Sequence, residues 1–268
     1  MILLKRIGKI TFIVILLFFF SITGKILAQA DTIYSDENNK LISKVEFNTK
    51  MNSEVFHGLR YETDTIVLNK LRFNYYFGEL DPIVKTQLFK LLNKRHQIDT
   101  TKTLIIHYLD TLKSIEEFPK VTKTVLLDSL NNEIKVPEFK NSYIDFRPLE
   151  NVKSHIHLQS YKSFVNEYKK CVRKHKKYRE TASLLHFYGH SSGGLEEKSK
   201  DVNWLKDYGF VVKKVFSDGF KTFNTIILHP NGEFYMQSRH NKIPFEHLVK
   251  QIHWNEYKTE FNNTIGNI

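Results

Sequence analysis

Cysteine is almost missing from this chain: Cys171 is the only one among 268 residues. A lone thiol makes no intrachain disulfide. Nor can it supply the Cys-x-x-Cys pair in which one thiolate attacks and a second thiol resolves a mixed disulfide. No histidine or cysteine spacing matches a specific metal signature, so no metal ligand, cofactor or catalytic residue is assigned, and the imidazoles read as solvated or satisfied within the core. Aromatic platforms between basic runs and recognised nucleic-acid modules are also missing, which argues against a nucleic-acid partner. Beyond residue 30 no apolar run approaches the ~20 residues of a membrane span. The residue directly after Ala30 is Asp31 and not cysteine, so a lipid-linked anchor is not indicated.

The first 30 residues differ in composition from the rest. Lys5, Arg6 and Lys9 precede the apolar run Ile10–Phe20, and the segment closes on Leu27-Ala28-Gln29-Ala30. A basic start, a short apolar core of about a dozen residues and small residues at the end predict a signal peptide over residues 1–30, hence export to a periplasmic or extracellular setting. Its removal takes the formal charge from +11 to +7, with 36 basic residues against 29 acidic ones. That excess suits adhesion to an anionic envelope or glycan surface as well as plain solubility. No integral membrane span is expected after cleavage.

Residues 31–60 read as an irregular entry segment with one strand near Lys44–Asn48. From residue 61 to 268 the pattern is α/β. Leu71, Phe73, Tyr75 and Phe77 alternate as in a strand, Asp81-Pro82 opens a helix carrying Val84, Leu88, Leu91 and Leu92, and Leu104–Leu109 reads as a buried strand. Residues 113–160, with Pro119, Pro137 and Pro148, form an insertion or boundary region with a short helix near Val121–Leu130. Phe164, Tyr168, Cys171, Val172, His175 and Tyr178 then make one helical stripe, with the basic run "KKCVRKHKKYR" mostly outside it. A strand is expected over Ala182–Tyr188, a helix over Glu197–Tyr208 ended by Gly209, and a strand over Phe210–Phe216. Asn231-Gly232, between Thr225–His229 and Glu233–Ser238, predicts a tight antiparallel hairpin because both residues tolerate positive φ. A last helix, opened by Pro244, carries Phe245, Leu248, Val249 and Ile252.

The segments "WLKDYGFVVKKVF" and "TFNTIILHPNGEFYMQSRH" carry a resemblance. The order helix, strand, helix, strand, hairpin, helix from Ser163 to His253, about a third of the chain, is similar to the thioredoxin-like fold of secreted redoxins and thiol-disulfide reductases. That resemblance implies a mixed sheet with a C-terminal hairpin and closing helix, an N-terminal extension and the 113–160 insertion. The family's first strand falls either at Leu104–Leu109 or at Ser154–Leu158. The dithiol pair is lacking, and Phe223 stands where the family keeps a cis-proline before the hairpin. What the resemblance leaves is a redox-inactive accessory module whose groove near Phe223 and Asn224 binds an envelope or secreted protein or peptide.

"LLHFYGHSSGG" opens an alternative. Gly189-His190-Ser191-Ser192-Gly193 fits Gly-x-Ser-x-Gly, so Ser191 could be the nucleophile of a serine esterase or lipase. Asp218 with His240 or His247 has the required chain order, but only 77 residues follow Ser191 and a hairpin occupies them. Whether the chain is an enzyme therefore stays open at this level. His155, His157, His186 and His190 are a further grouping considered for metal. The basic helix face, read first as solvated, is the surface through which an anionic partner would be met.

Overall fold

Asn74 interrupts what the alternation from Leu71 to Phe77 presents as one strand. Its backbone N–H donates to Val55 O at 2.7 Å, and its side-chain amide donates to Glu54 O and Phe56 O. The first of these takes the N–H that a continuous strand would give to its neighbour, the side-chain bonds hold the residue there, and two strands result, β3 (Ile66–Phe73) and β4 (Tyr75–Glu79). The computed structural model describes residues 31–266 apart from 64, 129, 131, 135–153, 196–201, 218–222, 238–242 and 244. The expected signal peptide lies outside the described residues. Among those described, no helix is long and apolar enough to cross a membrane.

The chain divides into two units. Of the described residues, the smaller unit takes 31–51 and 58–72. It holds β1 (Asp31–Ser35), α1 (Lys44–Met51), most of β2 (Phe56–Glu62) and most of β3, in a sheet ordered β1-β3-β2 with β1 and β3 parallel. The strand expected near Lys44–Asn48 is a helix. Ser43 Oγ accepts from Glu46 N–H at 3.1 Å, and Phe47 and Lys50, three apart, turn inward, which is a helical and not a strand period. Lys50 stays buried because Glu37 lies 3.0 Å from its ammonium.

The larger unit, residues 52–57 and 73–268, is built on a six-stranded mixed sheet. Its further strands are β5 (Thr103–Leu112), β9 (Ala182–Ser191), β10 (Trp204–Lys206), β11 (Thr225–Leu228) and β12 (Glu233–Gln237), in the order β10-β9-β5-β11-β12-β4. β10, β9 and β5 are parallel; β11, β12 and β4 alternate in direction. β5 is Leu104-Ile105-Ile106 at its start, fully buried, as a central strand covered on both faces must be. One face carries Leu104, Ile106, Leu185, Phe187, Ile226 and Met236, packed with Leu88 and Leu92 of α2 (Pro82–His96) and with Val212 and Phe216 of α4 (Val211–Phe216). Over the other face lie α3 (Tyr161–His175), the short α5 (Phe245–Val249) and α6 (Trp254–Gly266). There Ile105 meets Val249, Tyr188 meets Phe164 and Tyr168, and Phe77 meets Trp254 and Phe261.

Several local expectations hold. Asp81 accepts from the amides of Ile83 and Val84 and opens α2 with Pro82 in its first turn. The hairpin closes at Pro230-Asn231-Gly232, but only Gly232 has positive φ, at 103°. His229 N–H still bonds Glu233 O, so this is a three-residue loop ended by a left-handed glycine, not a two-residue turn with both residues left-handed.

Others are overturned. Residues 204–206, expected in a helix, form edge strand β10 beside β9, and the part of that helix at 196–201 lies outside the described residues. Phe210–Phe216, expected as a strand, is mostly helix: Val212 and Phe216 are four apart and both buried, and Asp207 caps the turn by accepting from Val212 and Lys213 N–H, both at 3.1 Å. Gly209, at φ 72°, lets the chain turn into that helix instead of ending an earlier one. The helix expected near Val121–Leu130 is strand β6 (Lys123–Leu127), flanked by β7 (Glu133–Ile134) and β8 (Ser154–Leu158) in a small antiparallel sheet. The last helix is two, because Lys250 is extended; Ile252 is left 81% exposed while Trp254, fully buried, starts α6.

Candidate functional site

Parallel pairing of β5 with β9 sets His107 directly opposite His186. Both point to the α3 face, each in the middle of an otherwise apolar triplet, Ile105-His107-Leu109 and Leu184-His186-Tyr188. α3 runs over them and presents Cys171 and His175, one helical turn apart on one side. The four polar groups sit between the apolar cluster of Leu112, Tyr188 and Trp204 and that of Ile105, Ala182 and Val249.

Cys171 Sγ is 3.2 Å from His107 Nε2 and 3.5 Å from His175 Nδ1, and His175 Nδ1 is 2.6 Å from the Cys171 carbonyl. His107 Nδ1 is 3.0 Å from Thr225 Oγ1. The threonine hydroxyl and the thiol can each donate or accept, so both bonds are met in either tautomer; with Nδ1–H donating to the hydroxyl, Nε2 accepts from the thiol. His186 is 2% exposed, stacked at 5.4 Å on His107 and edged by Tyr168 and Trp204, and its Nε2 has no hydrogen-bond partner among the described residues. Burial, with His186 and His175 alongside, pushes His107 down to about 3, and burial pushes His186 down to about 4. Burial also lowers His175 and pushes the Cys171 thiol up to about 11. At neutral pH the cluster is uncharged: three imidazoles with lone pairs and one thiol.

A cavity of about 400 Å³ opens on this cluster, lined among others by His107, Cys171, Tyr168, Glu167, Asn224 and Gln237. A second, of about 350 Å³, reaches His175 and His186 from the other side. Of the candidate site residues Phe223, Asn224 and Ser191, the fold puts only Asn224 on the first cavity, with its carbonyl accepting from Tyr108 N–H at 2.9 Å. Phe223 is buried in the core on the opposite face of the sheet.

Ser191 is the last residue of β9, paired with Leu112, and its hydroxyl accepts from Gly193 N–H at 3.2 Å. Its backbone is not among those at positive φ, so the strand does not turn at the serine as a nucleophile elbow does. Gly189 has another reason to be glycine: a Cβ there would lie 2.9 Å from Asp110 O and 3.0 Å from the Tyr108 hydroxyl. His247 pairs with Tyr257 and stacks on His253, while Asp218 and His240 lie outside the described residues. His157 bonds Thr124 within the small sheet. On the basic face of α3 and the turn after it, Lys177 pairs with Glu246 and Arg179 with Glu180, both pairs exposed and weak.

The partnership of His107 with His186 and Cys171 was not legible in the sequence. The signal existed as a histidine inside each of two apolar runs, but it needs the strand register to become a pair. No family model, curated protein or solved structure matches the chain.

Proposed function

We propose that the larger unit is a thioredoxin-like domain without a dithiol centre, exported with the chain, and that it binds an extended protein or peptide segment as an accessory module. The strand order β9-β5-β11-β12, with α3 joining the first parallel pair and the hairpin leading to closing helices, supports this reading. Under it, β5 is the family's first strand and residues 113–160 are an insertion. The observation that carries the binding role is the cavity beside Asn224, at the start of the hairpin strand, where carbonyl and amide groups, Glu167 and Gln237 offer polar contacts next to Tyr168 and Leu109. Cys171, without a second thiol, serves no dithiol exchange.

The test is fluorescence anisotropy of labelled unstructured peptides with the full chain, compared with Asn224→Trp, whose indole fills the cavity. Binding in the wild type that falls at least about tenfold, or ~1.4 kcal/mol, in the variant supports the module. Absence of peptide binding, or binding indifferent to Asn224→Trp, overturns it. Stoichiometric fluorophosphonate labelling that disappears in Ser191→Ala would put a serine hydrolase in its place.

A further inference from the structure

Peptide contacts at Asn224, Glu167 and Gln237 leave the imidazoles and the thiol between the two cavities without a role. Polar side chains buried among Leu, Tyr and Trp cost free energy unless each finds a partner, and the Nε2 of His186, a residue 2% exposed, has none among the described residues. An apolar residue at 186 would pack without that cost. The histidine is therefore explained by something that takes its lone pair.

We infer that His107, His186 and Cys171 form a binding site for one thiophilic transition-metal ion of the Zn²⁺ or Cu⁺ class, held by two imidazole nitrogens and a thiolate. One donor atom from each lies within 4.8 Å of the other two. With metal–sulfur bonds near 2.3 Å and metal–nitrogen bonds near 2.0–2.1 Å, tetrahedral ligands stand about 3.3–3.6 Å apart. The 3.2 Å between Cys171 Sγ and His107 Nε2 is already close to that, and small side-chain rotations bring in His186. Sulfur and imidazole donors select zinc or copper over magnesium or calcium, which prefer oxygen.

The surroundings match what such a site needs. The Thr225 hydroxyl holds His107 Nδ1, fixing the ring so that Nε2 faces the thiol, the outer contact that ligating histidines use. Two of the donors are imidazoles on paired strands and the third is on the helix above, so the backbone sets their spacing. The cavity reaches His107 and Cys171 and supplies an entry path, with room for a water or a ligand atom at a fourth position. Binding is balanced by one proton: the Cys171 S–H bond breaks, the sulfur–metal bond forms, and the proton leaves to solvent, while both imidazoles bind through existing lone pairs.

The test uses the full chain, purified without a polyhistidine tag, titrated with Co²⁺ as the spectroscopic probe. One equivalent is expected to give the visible d–d bands of a four-coordinate ion and a near-ultraviolet thiolate charge-transfer band, both abolished by Zn²⁺. Cys171→Ser should remove the charge-transfer band. His107→Gln and His186→Gln should each weaken Co²⁺ by at least about tenfold, the loss expected even for an outer-shell partner. His190→Gln, on the exposed end of β9, should leave binding unchanged. An anaerobic Cu⁺ titration against a chelator separates the two metals, both of which suit a thiolate donor. Should a variant fail to fold, the wild type alone decides, since one equivalent of Zn²⁺ must protect Cys171 from a thiol reagent. A Co²⁺ spectrum without a thiolate band, a band that survives Cys171→Ser, affinity indifferent to both histidine changes, or a thiol unprotected by Zn²⁺ would each overturn the site.

Discussion

His229 shows how one buried imidazole couples this protein to pH. Its Nδ1 is 3.0 Å from Thr103 Oγ1, its ring stands edge-on to Trp254 at 4.5 Å, and burial pushes it down to about 4 despite Glu233, with Lys258 acting in the same direction as burial. The unfolded chain, with an ordinary value of 6.5, takes up this proton first as pH falls. Stability from this site is therefore complete above about 6.5, declines by at most about 1.4 kcal/mol per pH unit from there to about 4, and then levels. Urea midpoints across that window should fall less steeply in His229→Gln, which keeps a partner for Thr103 but cannot be protonated; parallel slopes would refute the assignment. At Gly189 the expectation is steric. Gly189→Ala pushes a methyl against Asp110 O and the Tyr108 hydroxyl and should cost about 1–3 kcal/mol in denaturant unfolding, whereas a glycine kept only for a loop would tolerate it.

Among the elements, α4 depends on a residue outside it. Asp207, 3% exposed, accepts from the amides of Val212 and Lys213 and from the Tyr108 hydroxyl at 3.1 Å, tying the helix start to β5. Asp207→Ala removes the cap and orphans a buried phenol, so a loss of about 2–4 kcal/mol is expected in chemical unfolding. Burial and the nearby carboxylate both raise Tyr108 above the ordinary phenol range. Spectrophotometric titration should find that phenol ionising at lower pH in Asp207→Asn, and an unchanged titration would mean the contact is not made. The same corner shows why the local pattern does not settle α4. Val211 to Phe216 is short enough for periods of two and 3.6 to compete, and the cap that decides between them comes from Asp207, four residues upstream, with Gly209 providing the turn. Where cap and helix are contiguous, as at Asp81-Pro82 before α2, the sequence was sufficient.

For the larger unit as a whole, closure depends on α6. Phe261 meets Phe73, Tyr75, Tyr76 and Phe77 at centroid distances of 5.3–6.1 Å, and Trp254 meets Phe77 and Tyr235 while donating Nε1–H to Leu248 O. These contacts fasten the end of the chain to strand β4, more than 170 residues earlier. Phe261→Ala should cost about 3–5 kcal/mol and lower the thermal midpoint of this unit, measured by calorimetry. A change below about 1 kcal/mol would show that α6 contributes little to holding the edge of the sheet.

By itself the sequence determined what is local: the α2 start at Asp81-Pro82, the hairpin at Gly232, the apolar stripe of α3 with Cys171 and His175 on it, the central strand β5, and the lack of a second thiol. Backbone preference and side-chain period act over a few residues, so a few residues suffice to express them. Tertiary structure alone decided that His107 faces His186 beneath Cys171, and that Phe223 turns into the core while Asn224 meets the groove. Ser191 likewise owes its extended place at the end of β9 to its pairing with Leu112. Each of these depends on the register between strands far apart in the chain, and register is set by the packing of whole faces rather than by any neighbouring residue.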